Sequence, residues 1–434
     1  MNGTDLLHGT LSADAYRDRL LPLRQQADVQ NAWLTQRLES YLPELMRREG
    51  FDMWIVNTRE YNEDPVVMSL LPEPAMSARR RTILVFALTE DGTVERLSLD
   101  RYGIKGFYER AWEPKEETQY ECLGRVVRER DPQRIGIDTS DEFAFGDGLT
   151  HTEYNELSAA LGETLMARVE SAERLAVGWL EHRIAPELTV YPSIIALGHA
   201  IIAEAFSSRV VQPGVTTTDD VRWWMREKMA SLNLRPWFMP DVEIQAADQP
   251  FDANFGARRE LRTLIQPGDV LHCDMGYWYL GLASDQQQMA YVLRLGESEA
   301  PESLRAALAT GNRLQDIHLE EMKIGRTGNE VLASALSRAN EEGIEGQIYT
   351  HPIGYHGHAA GPTIGLWDHQ DGVPGRGDYP VFDNTCYSIE LNIRQAVPEW
   401  DGAQVMMGLE EEAGMIDGQM HWLAGRGEKL HLIG

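Results

Sequence analysis

Two aspartates, Asp274 and Asp285, lie on apolar, strand-like segments that are joined by a glycine-containing connection. The sequence predicts neighbouring β-strands at residues 270–273 and 289–293, with the connection between them at residues 276–281. Adjacent strands bring side chains on one face to within about 5 Å of each other. At such a short distance two buried carboxylates repel each other unless one keeps a proton or a cation neutralises both. The pair alone leaves two interpretations open: a cation site, or two strand-end aspartates that face water.

Three later segments also carry side chains that can bind metal ions, inside or beside apolar runs. They contain four histidines and four glutamates: His351, His356, His358, His369, Glu390, Glu410, Glu411 and Glu412. Carboxylates with one imidazole suit divalent ions such as manganese, cobalt or zinc. Glu390 is the sharpest case, because its neighbours are apolar and an unpaired buried carboxylate is costly. Together the four segments predict a centre for divalent cations.

The composition excludes some partners. The chain has 434 residues, 43% of them hydrophobic and 25% charged, which is enough for two sizeable cores. Lysine and arginine total 40 against 68 acidic residues, so the formal net charge is −28. Such a surface repels phosphate backbones and anionic membranes. We therefore expect neither a nucleic-acid partner nor a membrane partner.

The cysteines and the N-terminal residues bear on the cellular compartment. Cys122, Cys273 and Cys386 are scattered without CxxC spacing, which indicates a reducing compartment. The first residues lack the basic and apolar regions of a signal peptide. No apolar stretch approaches the roughly 20 residues that a membrane helix needs. We expect a soluble, cytoplasmic protein.

Secondary-structure patterns change along the chain. Strands and helices alternate over the first 160 residues or so, which predicts an α/β domain with a parallel or mixed sheet. Pro43 should kink a helix predicted over residues 29–48 or split it in two. From residue 242 strands dominate, interrupted by helices at 301–323 and 327–342. These patterns predict two domains, residues 1–175 and 176–434, in an α+β chain.

Two segments of the C-terminal part are loosely alike, VVQPGVTTTDDV and MKIGRTGNEVLASAL. Each runs from a glycine through a threonine to an acidic residue that opens a helix, as a helix cap requires. This likeness predicts a domain built from two related halves, with the site between them.

The C-terminal part resembles the pita-bread metallopeptidases, which include methionine aminopeptidase, aminopeptidase P, prolidase and creatinase. The resemblance covers roughly residues 180–434 and rests on IQPGDVLHCDMG, GLASDQQQ, MKIGRTGNEVL, GHAAGPTIGLWDHQ, SIELNI and GLEEEAGMIDG. The 11-residue separation of Asp274 and Asp285 is the family's own. It implies a C-terminal pita-bread (creatinase/aminopeptidase) domain preceded by a smaller α/β creatinase-type N-terminal domain. The N-terminal part matches only in size and alternation.

The resemblance also implies roles for the carboxylates. Asp274 should bind one metal ion, Glu390 the other, and Asp285 should bridge the two. The second bridging ligand is matched best by Glu410, with Glu411 as the alternative if the alignment shifts by one residue. Side chains alternate along a strand, so only one of these two glutamates can face the site.

The histidines are harder to match. His358 is the favoured metal ligand because it follows a glycine and precedes GLWDHQ, but the segment is about four residues longer than in the family. His356 and His351 remain alternatives for that ligand. In the favoured match, His351 and His369 would steady the tetrahedral intermediate, and Glu390 would move a proton to the leaving amine.

One family histidine, which precedes the first aspartate, has no counterpart in this chain. Asn254, Asp252 or Gln249 could replace it, or the contact is missing. His272 could face the same side as Asp274, although its position is more typical of a packed strand histidine.

The activity implied is that of a dinuclear metal-dependent exopeptidase, which cleaves Xaa-Pro bonds through a metal-bridged hydroxide. The implied cofactors are two divalent ions (Mn, Co or Zn), and the substrate is a short, proline-containing peptide. Aminopeptidase and dipeptidase activity both stay open, and a homodimer is the family-based expectation. Candidates for the pocket lining are Trp237, Phe238, Tyr355 and Trp367. The alternatives are a catalytically silent binding module on the same fold and a metal-free creatinase-like amidinohydrolase.

Overall fold

The computed structural model describes residues 12–249 and 261–434, which form two compact units. Residues Pro22–Ile184 make one unit, and Ala185–Gly434 with residues 12–21 make the other. The predicted boundary between residues 175 and 176 lies inside the helix Glu173–Glu181, whereas the division follows Ile184.

The unit Pro22–Ile184 combines six α-helices and six strands within the described residues. The helices are α1 Leu23–Gln36, α2 Leu42–Glu49, α3 Pro65–Leu70, α4 Gln119–Arg130, α5 His151–Met166 and α6 Glu173–Glu181. The strands are β1 Met53–Arg59, β2 Arg81–Leu88, β3 Val94–Ser98, β4 Glu109–Arg110, β5 Ile135–Ile137 and β6 Val169–Ser171. They form a mixed sheet of order β4-β3-β2-β1-β5-β6. The predicted α/β character of this part is therefore confirmed.

The helix is not split at Pro43, because right-handed helical backbone angles continue through Gln36, Arg37, Tyr41 and Leu42. Helices α1 and α2 are joined by a π-helical turn, Arg37–Tyr41. Pro43, which has no backbone N–H to donate, lies two residues after this π-helical turn.

The unit that begins at Ala185 carries one large sheet. Its helices are α7 Ala185–Ala205, α8 Thr218–Ser231, α9 Glu302–Glu321 and α10 Gly328–Glu341. Its strands are β7 Arg235–Pro236, β8 Asp241–Gln245, β9 Val270–Tyr279, β10 Leu282–Val292, β11 Gly346–Ile348, β12 His351–Ile353, β13 Thr385–Ala396, β14 Gln404–Ile416, β15 Gln419–Trp422 and β16 His431–Ile433. The path through the sheet is β11-β13-β14-β10-β9-β7, with β12 on β13 and β8 on β9.

The same order of elements occurs twice in this unit. A helix pair precedes strands β7 to β10, and a second helix pair precedes strands β11 to β14. Thr217 caps α8 in a reciprocal pair with Asp220, and Thr327 caps α10 with Glu330. Strands β10 and β14 are neighbours in the sheet, so the two halves meet there. The predicted pair of related halves is present.

The hairpin of β9 and β10 is longer than expected. Its turn consists of Leu280 and Gly281, whose φ angles of 54° and 76° are those of a two-residue type I′ turn. The predicted connection over residues 276–281 was therefore too long. The strands continue because Tyr277 pairs with Ser284, which extends the ladder to the turn.

Helix α7 corrects one expectation about apolar stretches. It has 21 residues with a mean hydropathy of 1.4, so by length and composition it could span a membrane. In the structure 56% of the apolar window is buried, as in the core helix of a globular unit.

Candidate metal centre

Four neighbouring strands place acidic and amide side chains in a single row. Asp274 on β9 lies opposite Gln287 on β10, Gln287 lies opposite Glu410 on β14, and Glu410 lies opposite Glu390 on β13. Directly opposed residues of antiparallel strands point to the same face of a sheet. The four side chains therefore share one face, although they come from both halves of the unit.

A second row lies two residues further along the same strands. The backbone N–H of Asp285 donates to Glu412 Oε1 at 2.8 Å, and Glu412 lies opposite Ser388. Ser388 in turn lies opposite His351 on β12, and its hydroxyl donates to Glu410 Oε1 at 2.6 Å. The second row thus adds two carboxylates, Asp285 and Glu412, and one imidazole beside the first.

His351 is the imidazole at the centre of this cluster. Its Nε2 lies 3.3 Å from Glu410 Oε1, 3.6 Å from Asp285 Oδ2 and 3.9 Å from Glu390 Oε2. The ring of His358 packs edge-on against His351 with 4.6 Å between the centroids. His351 is buried, whereas His358 is exposed at the edge of the cluster.

Three sets of donor atoms are compact enough to hold a metal ion, each with its atoms within 4.8 Å of one another. They are Asp274, Asp285 and Glu410; His351, Glu390 and Glu410; and Asp285, His351 and His358. Asp285 and Glu410 each belong to two sets. The arrangement therefore offers two adjacent cation positions with shared carboxylates between them.

Electrostatics favour a cation at this place. Burial, followed by the negative charge of Glu410, raises the pKa values of Asp274, Asp285 and Glu390 well above their usual range. Burial also acts to raise the pKa of Glu410. The interaction with His351 and the hydrogen bonds from neighbouring groups outweigh this effect and hold that pKa below its ordinary value. A nearby cation would oppose these raised pKa values, because it favours the charged form of each carboxylate.

The residues present fit a divalent metal ion. Asp274 Oδ1, Asp285 Oδ1 and His351 Nε2 are buried atoms without a hydrogen-bond partner among the described residues. Unpaired buried polar atoms cost free energy, and a cation bound by carboxylates and imidazole would satisfy all three. The predicted ligands Asp274, Asp285, Glu390, Glu410 and His358 are brought together, and His351 joins them.

The structure also separates Glu410 from Glu411. Glu411 points to the opposite face of the sheet, where His199 Nε2 lies 2.5 Å from its Oε2. Its Oε1 accepts a hydrogen bond of 2.8 Å from Gln288. Glu410, the favoured residue, is the glutamate that faces the cluster.

His369 does not join the cluster. Its side chain is 57% exposed, and its Nδ1 lies 2.9 Å from Asp368. The position gives no support to the expected catalytic role, because the ring pairs with its chain neighbour at the surface. Trp367, a candidate for the pocket lining, is likewise exposed.

Gln287 is a cluster residue that the sequence patterns did not predict. Its Nε2 donates to Glu390 Oε1 at 2.5 Å and to Glu410 Oε2 at 2.8 Å. The signal was its position two residues after Asp285, which places both side chains on one face of a strand. A neutral amide is not a usual metal ligand, so the residue type did not draw attention to it.

An aromatic side chain closes one side of the cluster. The ring of Trp237 lies 5.2 Å from that of His358 and 4.5 Å from that of Phe238. A Cβ added at Gly276 would lie 1.9 Å from Trp237 Nε1, and one added at Gly357 would lie 2.3 Å from its ring. Both glycines therefore leave the space that this indole fills.

The structure describes one of the three residues suggested as replacements for the missing family histidine. Gln249 Oε1 accepts from the backbone N–H of Arg262, and its Nε2 donates to the carbonyl of Ile244. Gln249 thus has a structural use, while Asp252 and Asn254 lie outside the described residues.

A sheet of two related halves with an acidic cluster where they meet defines the pita-bread class of folds. The sequence model of metallopeptidase family M24 matches residues 194–411, and the chain belongs to that family. The expected family resemblance is confirmed. A comparison with curated protein sequences finds no match.

Solved structures support the same fold at low sequence identity. An X-Pro aminopeptidase from Thermotoga maritima is 15% identical with a TM-score of 0.62, over 90% of this chain and 99% of that chain. An Xaa-Pro dipeptidase from Bacillus anthracis is 16% identical with a TM-score of 0.55, over 94% and 99%. The N-terminal domain of the FACT complex subunit SPT16 from Cicer arietinum is 12% identical with a TM-score of 0.52, over 98% and 100%.

Proposed function

We propose that this protein is a metal-dependent exopeptidase that hydrolyses Xaa-Pro bonds with two divalent ions of manganese, cobalt or zinc. The observation that carries the proposal is the pair of adjacent donor sets that share Glu410, one with Asp274 and Asp285 and the other with His351 and Glu390. Shared carboxylates between two positions are the arrangement that two-metal hydrolysis requires.

When bound, the two ions would supply a water of lowered pKa and polarise the scissile carbonyl. The chain's own groups would complete the chemistry. Glu390 is partly exposed and can carry a proton to the leaving nitrogen, since it lies at the edge of the cluster. Partial burial and the charge of His351 lower the pKa of His358 to about 4. His358 is therefore neutral at pH 7 and can donate a hydrogen bond to a developing oxyanion.

The aromatic pair Trp237 and Phe238 supports a proline-containing substrate. Their rings form an apolar wall next to His358, and a pyrrolidine ring packs well against an indole face. The X-Pro aminopeptidase and Xaa-Pro dipeptidase among the structural neighbours support the same substrate class. Aminopeptidase and dipeptidase activity differ in the length of peptide that the site accepts.

The test combines cation content with turnover. Purified protein is loaded with Mn²⁺ or Co²⁺ and assayed on an Xaa-Pro dipeptide and on a tripeptide with proline second. We expect cleavage of one of the two, and loss of both bound cations and turnover in Asp274→Ala and Glu390→Ala. Cation binding without turnover would indicate a silent binding module, and turnover that survives chelation would indicate a metal-free hydrolase.

We also propose a cytoplasmic location and a homodimer. The three cysteines are free and buried, which supports a reducing compartment. Light scattering of the full chain would give a mass near twice the 49.0 kDa of one chain. A monomeric mass would contradict the homodimer.

A further inference from the structure

The amide of Gln287 bridges the two glutamates of the cluster. Both hydrogens of its NH₂ group are used, one on Glu390 Oε1 at 2.5 Å and one on Glu410 Oε2 at 2.8 Å. The oxygens that approach His351 are the other two, Glu390 Oε2 and Glu410 Oε1. The amide therefore holds each carboxylate from the side away from the imidazole, and the inner oxygens face His351, with Ser388 also donating to Glu410 Oε1.

His272 fixes the orientation of that amide. Its Nε2 lies 2.9 Å from Gln287 Oε1. Because the NH₂ group must face the two carboxylates, Oε1 faces the imidazole, and His272 Nε2 must carry the proton of this hydrogen bond. A turned amide would set its carbonyl oxygen against two carboxylate oxygens. His272, which the sequence pattern suggested was a packed strand residue, thus determines which end of Gln287 meets the glutamates.

Gly408 makes room for this pair. It precedes Glu410 by two residues on β14, on the same face of the sheet. A Cβ added there would lie 2.8 Å from His272 Nε2 and 3.4 Å from Gln287 Oε1. The φ angle of Gly408 is not in the left-handed region, so close approach, and not backbone conformation, accounts for a glycine at this position.

We infer that His272 and Gln287 act as a relay of two positioning residues, which aligns Glu390 and Glu410 for cation binding. The inference rests on the proposed cation site and adds to it the residues that orient its second pair of carboxylates. Partners that hold metal ligands in place typically contribute about 10–100-fold to metal affinity. The Gln287 amide carries no charge, so it orients the carboxylates without neutralising them in place of a cation.

The test measures Co²⁺ affinity of the chelator-treated full chain by visible absorption and calorimetry. We expect Gln287→Ala to weaken binding by about 10–100-fold. His272→Leu should weaken it less, and His272→Gln should restore it because a glutamine Nε2 can donate in place of the imidazole. In the double variant, His272→Leu should add nothing to Gln287→Ala, since the histidine acts through the amide.

Gln288→Ala is the matched control. Gln288 is the next residue of β10, is equally buried, and donates to Glu411 on the opposite face at 2.8 Å. It should keep wild-type Co²⁺ affinity, and melting temperatures verify that every variant is folded.

Additive losses from His272→Leu and Gln287→Ala, or unchanged affinity in Gln287→Ala, would overturn the relay even if the wild-type enzyme cleaves Xaa-Pro peptides. A wild-type chain that binds Co²⁺ but cleaves no Xaa-Pro peptide would overturn the proposed function while leaving the relay testable by affinity. A wild-type chain that binds no Co²⁺ would overturn both.

Discussion

His351 Nε2 and Glu410 Oε1 approach each other to 3.3 Å across strand β13, which separates their own strands β12 and β14 in the sheet. The contact makes His351 the buried imidazole of the cluster and leaves His358 at its exposed edge. The sequence motif favoured His358 as the ligand, but strand pairing brings His351 nearest to the carboxylates.

We therefore expect the two histidines to differ on substitution. His351→Ala should lower cation affinity by more than the roughly 10–100-fold that is typical for residues that only hold a metal ligand in place. The reason is that it removes a donor atom within 4 Å of three carboxylates. His358→Ala should mainly lower turnover. Metal analysis and peptide assays on both variants check this. His369→Ala is the surface control and should match the wild-type protein, and an equal loss in all three would contradict the assignment.

A second prediction contrasts two adjacent glutamates on opposite faces of β14. Glu410→Gln should abolish cation binding at the shared position. Glu411→Gln should keep the cations but cost about 1–3 kcal/mol of stability, because it disturbs the buried hydrogen bonds with His199 and Gln288. Cation content and thermal unfolding measure the two effects separately. Loss of cations in Glu411→Gln would show that Glu411, and not Glu410, faces the cluster.

The third prediction concerns removal of cations. Because Asp274, Asp285 and Glu390 crowd together in a buried site, divalent ions should stabilise the folded chain. At a cation concentration 100 times Kd the gain is about 2.7 kcal/mol. Calorimetric melting with Mn²⁺ and after chelation measures it. Asp274→Ala should melt at the same temperature in both conditions, and a shift of wild-type size in that variant would contradict binding at this site.

The fourth prediction uses a buried acid pair in the unit Pro22–Ile184. Asp138 accepts from Trp54 Nε1 at 2.7 Å, and its Oδ2 has no partner among the described residues. Burial raises the pKa of Asp138 well above its usual range, and the charge of Asp64 raises that pKa further. The folded protein thus holds a proton that the unfolded chain releases near pH 4.

The contribution of Asp138 to the free energy of unfolding should therefore be largest below about pH 4 and should decline as the pH rises through its raised pKa. Asp138→Asn keeps an acceptor for Trp54 and cannot lose a proton, so its stability should decline less between pH 5 and pH 8. Urea unfolding across this range measures the difference. The exposed Asp141→Asn should behave as the wild-type protein does, and a parallel decline in Asp138→Asn would refute the pair.

Much of the site could be predicted because strands alternate and carboxylates are unusual inside apolar runs. Asp274, Asp285, Glu390 and Glu410 stood out for that reason. The histidines did not separate, because β12 has only three residues, so no alternating pattern marks His351 as a strand residue apart from His356 and His358. The role of Gln287 was not predicted, because its spacing from Asp285 indicates only a shared face, whereas its partners depend on the register of three strands.

The meeting of β10 with β14 has a consequence for assembly of the protein. Two acidic donors come from the first helix-and-strand half and two from the second, so neither half by itself carries a complete set. A divalent ion bound at the cluster would therefore indicate that both halves have docked in the correct register. A single-residue slip of β14 would replace Glu410 with Glu411 and empty the centre.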